Sequence, residues 1–219
     1  MNAIYKTTKL LAVMLLLVTA GNAQDNVAIV GVRAGINLSG QDGVPRGELD
    51  SYAKVGFNIG VTVDFRLSDK MYLITGMEYT VKGSKGKKYV EATSDAPGHY
   101  FINNDKPAYL QIPLHVGYLW PINRDFRLMF HAGPFIAYGL GGKTHWTYVY
   151  DDKEFRKKED FFGIGVGKFD WGLGGGVNAE YDRYVLAIGY DRGLRNFAPG
   201  YNDGKARTRN MYISVGYLF

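Results

Sequence analysis

Six side chains could carry chemistry in this chain: Arg33, Asp64, Glu78, His115, His131 and Asp191, each with an apolar residue on at least one side. Carboxylates, imidazoles and a guanidinium brought together could exchange protons or hold a ligand. His115 and His131 could also hold a metal. The competing reading is a set of structural ion pairs, because charges taken out of water must be paired. We expect that second reading, a polar cluster without a metal. Nucleophilic catalysis has little to draw on: there are four histidines, and no serine sits in a G-x-S-x-G context. The run Gly163-Ile164-Gly165-Val166-Gly167 is no phosphate loop, since no helix follows it. Neither a cofactor nor an enzyme is expected.

The elements that would position these residues are alternating strands. Successive side chains of a strand point to opposite faces, so a period of two separates two walls. Near 28–38, Val30, Val32, Ala34, Ile36 and Leu38 oppose Gly31, Arg33, Gly35 and Asn37. Segments with the same alternation fall near 53–66, 71–82, 108–120, 126–140, 169–181 and 184–192, and the last closes the chain. There Met211, Ile213, Val215, Tyr217 and Phe219 form one apolar face. All six candidates lie on the other, smaller and more polar face. Arg33, Glu78, His115, His131 and Asp191 are expected at similar heights above the short turns.

The connections alternate too. They are short after the second, fourth and sixth segments. They are long at 39–52, 83–107, 141–168 and 193–207. An even strand number with short turns at one end and long loops at the other is the plan of bacterial outer-membrane barrels, with both termini on the short-turn side. The apolar face holds bulky residues and the polar face is mostly Gly, Ser, Asn and Ala. An eight-stranded barrel has a lumen just wide enough for side chains to fill, so the small face belongs inside. A soluble barrel would reverse this. The sequence therefore predicts an all-β fold, an eight-stranded antiparallel up-and-down transmembrane β-barrel. Pro113 and Pro134 interrupt neighbouring strands and predict a bulge or local kink where they face each other.

The N-terminus reads as an export signal. Lys6 and Lys9 precede the apolar run 10–18, and Gly21 and Ala23 follow. That order predicts a cleaved signal peptide over 1–23 and a barrel domain over 24–219. The run is far short of the roughly 20 residues needed to span a membrane. The chain has no cysteine, which excludes disulfides and a lipoprotein anchor. Its formal net charge of +5 is too mild a bias to argue for nucleic acid.

Several strands resemble those of the PorT-like outer-membrane β-barrel family: Val32–Ser39, Gly56–Val61, Glu78–Gly83 and, most specifically, Tyr109-Leu110-Gln111-Ile112-Pro113-Leu114. The resemblance covers the mature chain and implies an eight-stranded barrel in the outer membrane of Gram-negative cells. Some relatives are linked to secretion machinery or surface motility. Expected partners are outer-membrane lipid and lipopolysaccharide, the barrel-assembly machinery acting on Val215, Tyr217 and Phe219, and a surface or secretion-system protein. Recognition would fall to the long loops, with Lys85, Lys87, Lys88, Trp146, Tyr148, Tyr150 and Arg156 as candidate contacts. The basic residues Lys82, Arg192, Arg195 and Arg209 sit beside them, and the aromatic stretch 145–162 reads as a hairpin that would extend the barrel above the membrane, a site for protein docking. The expectation is a structural or interaction protein with a filled lumen. The alternatives are a narrow porin-like channel and a lipid-modifying enzyme.

Overall fold

The computed structural model describes residues 28–42, 50–90, 99–150, 153–163, 166–197 and 206–219. The expected signal segment 1–23 and much of the long connections lie outside them. Among the described residues ten strands form: β1 (Ala28–Asp42), β2 (Asp50–Arg66), β3 (Met71–Val81), β4 (Ser84–Val90), β5 (His99–Pro121), β6 (Phe126–Tyr150), β7 (Lys153–Asp160), β8 (Phe169–Tyr181), β9 (Tyr184–Gly193) and β10 (Arg207–Leu218). All pairings are antiparallel.

The barrel closes through eight of the ten. The pairing runs β1–β2–β3–β5–β6–β8–β9–β10 and returns to β1, where Ile36 faces Ile213. Closure leaves no unpaired edge inside the ring, the condition for a sheet to stand in hydrocarbon. Of the two further strands, β4 corrects the expected loop over 83–107, while β7 forms with β6 the hairpin expected over 145–162. β4 lies within 83–107 and β7 within 141–168, while β5 and β6 run on beyond the ring at 99–107 and 141–150. With residues 50–53 of β2 they make an outer sheet in the order β2–β4–β5–β6–β7. Alternation marks strands best where one wall is apolar. Here both walls mix charge with aromatic residues, so the pattern fades.

The apolar face is the outer one. Val55, Val215 and Ile36 are 67%, 65% and 59% exposed, whereas inward Thr80 and Asp170 are 0% and 1% exposed. A wall of this kind belongs in contact with lipid. Tyr217 stacks edge-on with both Tyr184 and Phe219, at 5.5 and 5.4 Å between ring centres. The Phe219 amide donates to the Val30 carbonyl at 2.9 Å, so the terminal aromatic is tied to the first strand.

Of the bulge or local kink expected at the prolines, the structure shows an interruption of the ladder with no shift of register. Pro113 pairs with Phe135 and Val116 with Ala132 in one register. The ladder is interrupted between them without shifting. Pro113 has no N–H to donate, and opposite its β3 side the chain bends through Gly76 at φ 151°, a value that suits glycine. The register shift lies higher, between Ala108 and Tyr109.

Candidate functional site

Three layers fill the lumen. At the short-turn end Tyr72, Ile74, Leu119 and Met129 form an apolar floor, bulkier than the small-residue lining the sequence predicts. At the other end Phe161, Val166, Phe197 and Ala206 cluster. Phe162 drops from the 3₁₀ turn Phe161–Gly163 onto Tyr109, Phe135 and Ala137. Its ring takes the space a side chain at Gly139 would need. Between floor and lid the lining is polar.

All six predicted lumen residues face inward, but as separate pairs rather than one cluster. Arg33 Nη2 lies 2.9 Å from Glu78 Oε2, and the guanidinium sits over the Tyr212 ring at 5.8 Å. Glu78 Oε2 also accepts from Asn58 Nδ2 at 3.1 Å, and Asn58 bonds Ser214 at 2.9 Å. The rings of His115 and His131 stack at 5.1 Å with their Nδ1 atoms 2.9 Å apart. One Nδ1 must therefore carry a proton and the other accept it. Asp191 pairs with neither histidine nor Arg33; its Oδ2 accepts from Gln111 Nε2 at 2.9 Å. Asp64 stands apart, and its Oδ1, like His115 Nε2, has no protein partner. Both residues border a cavity of about 30 Å³ that Arg33, His131, Asn178 and Glu180 also line. That is room for a water or two between these polar groups and the apolar side chains of Ile74, Val185 and Ala187.

Sequence reasoning missed how far the network extends. Lys82, at the exit of the third strand and on its polar face, is 4% exposed and belongs to the lumen rather than to the basic loop. Its Nζ donates to Gln111 Oε1 at 2.6 Å and lies 4.9 Å from the Phe135 ring centre. Its place in the alternation, in step with Glu78 and Thr80, is the signal that identifies it. Arg127 and Glu180 pair at 3.1 Å, and Thr208 donates to Asp170 at 2.8 Å. No group of three or more metal-ligating side chains occurs among the described residues. Gly174 and Gly176 make room: a side chain at the first would meet Asp191, and one at the second would meet the His131 ring and the β9 backbone.

Beyond the ring, the outer sheet gathers the predicted loop contacts. Trp146, Tyr148 and Tyr150 lie on its inner face with His99 and Phe101 across the ladder. Phe101 meets Tyr148 edge-on at 5.5 Å, and Trp146 stacks with Tyr148 at 6.2 Å. Phe155 of β7, opposite Tyr148, is 59% exposed. β7 pairs with β6 alone, so its far edge is open among the described residues. Lys85 and Lys87 are exposed on β4, and Lys87 lies 5.0 Å from the Tyr100 ring centre. Lys88 is half-buried, opposite Phe101. Arg156 grips Glu154 through Nε and Nη2 at 3.0 and 3.2 Å. Arg192 and Arg209 both pair with Asp42, the latter at 3.1 Å. Arg195 lies over Phe169 at 5.7 Å. Arg156, Arg192, Arg195, Arg209 and Lys87 of the basic loops are thus engaged with neighbouring side chains.

At the root of this sheet the Asp105 carboxyl accepts from Thr144 at 2.8 Å and from Ser84 at 3.1 Å. Burial pushes its pKa up, and those two donors hold it back. Burial, with the charge of Lys106 next, pushes Lys54 down to about 8.

The family described as "Outer membrane protein beta-barrel domain" matches residues 22–198. No curated protein matches the chain. Among solved structures, the attachment invasion locus protein Ail of Yersinia pestis is similar at 12% identity and a TM-score of 0.40, covering 88% of this chain and 99% of its own. Neisserial surface protein A matches at 14% identity and 0.38, covering 87% and 97%. The outer membrane protein OprG from Pseudomonas aeruginosa matches at 13% and 0.34, covering 88% and 96%.

Proposed function

This chain belongs to the outer membrane protein β-barrel domain family, and from that premise we propose that it is a closed barrel working as an interaction protein at the cell surface. The observation that carries this is the contrast between a filled lumen and an aromatic outer sheet with an open edge. The eight-stranded lumen holds the Arg33–Glu78 and Arg127–Glu180 pairs, is floored by Tyr72 and Met129 and is lidded by Phe162, which favours a closed barrel. Open pores are built from about 16 strands. An exposed sheet edge beside aromatic rings is suited to a partner that adds a strand, its side chains docking on Trp146, Tyr148 and Phe155.

On this reading the chain is exported through a signal peptide over 1–23 and both termini are periplasmic. The barrel-assembly machinery takes up Val215, Tyr217 and Phe219, and the long connections face outward. The narrower likeness to PorT-like barrels, carried by Tyr109–Leu114, supports a partner in a secretion or surface assembly. Lys85, Lys87 and Arg156 would favour lipopolysaccharide nearby. Single-channel recording of the refolded protein in a planar bilayer tests the closed lumen. Silence is the expected result. Steady, defined conductance steps would sink the reading and make Arg33 and Glu78 selectivity elements.

A further inference from the structure

The outer wall carries a notch where β3, β5 and β6 leave the apolar band. The register shift puts Ala108 opposite Gly141 and Tyr109 opposite Gly139, leaving Leu140 as the extra residue. At Gly141 a side chain would meet nothing within 4 Å. Ala108 and Gly141 floor the notch, Tyr79 and Val81 wall one side and Leu140 the other, around a volume of about 440 Å³.

Just above, both strands change character at the same height. Lys106 faces Lys143 directly across the ladder, and His145 lines the same notch. Like charges placed opposite each other on neighbouring strands repel. Lys143 forms an ion pair with Asp160, a carboxylate that is itself 71% exposed. The charge of Lys106 is also felt by Lys54, whose ammonium it helps to push down to about 8. From Tyr118 to Ala108 the outward side chains of β5 are apolar. At ~3.4 Å per residue and a tilt of about 40°, that stretch rises roughly 25 Å, the height of the apolar band of an outer-membrane barrel. The lysines therefore begin where hydrocarbon ends.

We propose that this notch binds an outer-leaflet lipid whose headgroup carries a phosphate monoester, with the phosphate between Lys106 and Lys143 and an acyl chain over Ala108 and Gly141. The inference rests on the reading that the long connections face outward. A dianionic monoester suits two facing ammoniums better than a monoanionic diester, because it must also displace Asp160 from Lys143. The apolar floor sets it apart from a site for free phosphate, which has no chain to bury.

The test is native mass spectrometry of the protein released from phosphatidylcholine nanodiscs. These contain phosphatidic acid as the monoester probe or phosphatidylglycerol as the diester probe. The wild type should retain phosphatidic acid in preference to phosphatidylglycerol. Each Lys→Gln change at 106 or 143 should weaken retention about fivefold, and the double variant roughly 25-fold, the worth of a lysine beside an anionic headgroup. Gly141→Trp, which fills the floor and leaves the lysines intact, should also release the lipid, while Asp160→Asn should strengthen retention. Three results would each overturn the site: equal retention of both lipids, equal losses from Lys85→Gln/Lys87→Gln, or displacement by inorganic phosphate at the concentration of the lipid. Unchanged gel mobility of unheated samples certifies that each variant is folded. Because conductance is read separately, a silent barrel without this lipid preference fails the notch alone, and a conducting barrel that keeps it fails the closed lumen alone.

Discussion

The interior of the ring and the outer sheet are made of the same strands, yet they treat charge in opposite ways. Glu78 is enclosed by Arg33, Asn58 and the wall around them, with 4% of its side chain exposed. In the outer sheet Arg156 and Glu154 make a two-bond pair in open solvent, 76% and 45% exposed. Inside, a charge has at most a water or two to turn to, so a lost partner is costly. Outside, water replaces any partner, so pairing constrains the sequence little. The interior is consequently the part that stability holds fixed, and the outer sheet is free to be shaped by what it binds.

The sharpest way to break this comparison is to remove one member of each pair. Glu78→Ala leaves Arg33 buried without its counter-ion and should cost about 3–5 kcal/mol in urea unfolding from lipid vesicles. Arg156→Ala should leave the unfolding midpoint where it was. Equal shifts from the two variants would mean that the interior is wetter than its geometry implies.

How much of this contrast can be read from sequence depends on which wall carries the signal. Alternation from Val30 to Leu38 and from Leu110 to Trp120 places each inward residue correctly, because lipid demands apolar partners at every second position. Partners are another matter. Arg33 and Asp191 look like neighbours by height, but the ring sets Arg33 against Glu78 and Asp191 against Gln111. Register between strands far apart in the chain fixes that, and no local pattern encodes it. The bounds of the outer strands are hard to read for a different reason. Lys153–Asp160 reads KEFRKKED, which carries almost no apolar alternation. Its strand form is set by pairing with β6 rather than by its own pattern.

Two glycines sharpen the comparison on the scale of a single side chain. Gly174 faces inward, and an added Cβ would stand 2.4 Å from Asp191 Oδ1 and 3.3 Å from His115 Nε2. Gly141 faces the outer notch with nothing within 4 Å. Gly174→Val should therefore cost about 1–3 kcal/mol by overpacking, read in the same unfolding assay. Gly141→Val should be neutral within a few tenths of a kcal/mol, since an unobstructed strand position suits a branched side chain. A neutral Gly174→Val would show that the polar interior can shift to admit volume, contrary to the tight pairing around Asp191.

The smallest effect lies at the seam between the two regions, where Lys54 reaches from β2 towards Asn104 and the Asp105 carbonyl. Burial, and then Lys106, lower its pKa from 10.5 to about 8. Between those two values the unfolded chain holds a proton on this lysine that the folded one has released, so stability rises with pH across that window. Below pH 8 the folded lysine is charged as well and the dependence vanishes. The gain is modest, because the side chain is only partly buried and water screens it. Of the three tryptophans, Trp146 alone lies in the outer sheet. Its fluorescence in a Trp120→Phe/Trp171→Phe background therefore reports melting there. The melting temperature should climb between pH 8 and 10, and Lys54→Met should flatten the climb. If the slope survives that substitution, another group at the seam titrates, and the outer sheet is coupled to the ring through more than this one lysine.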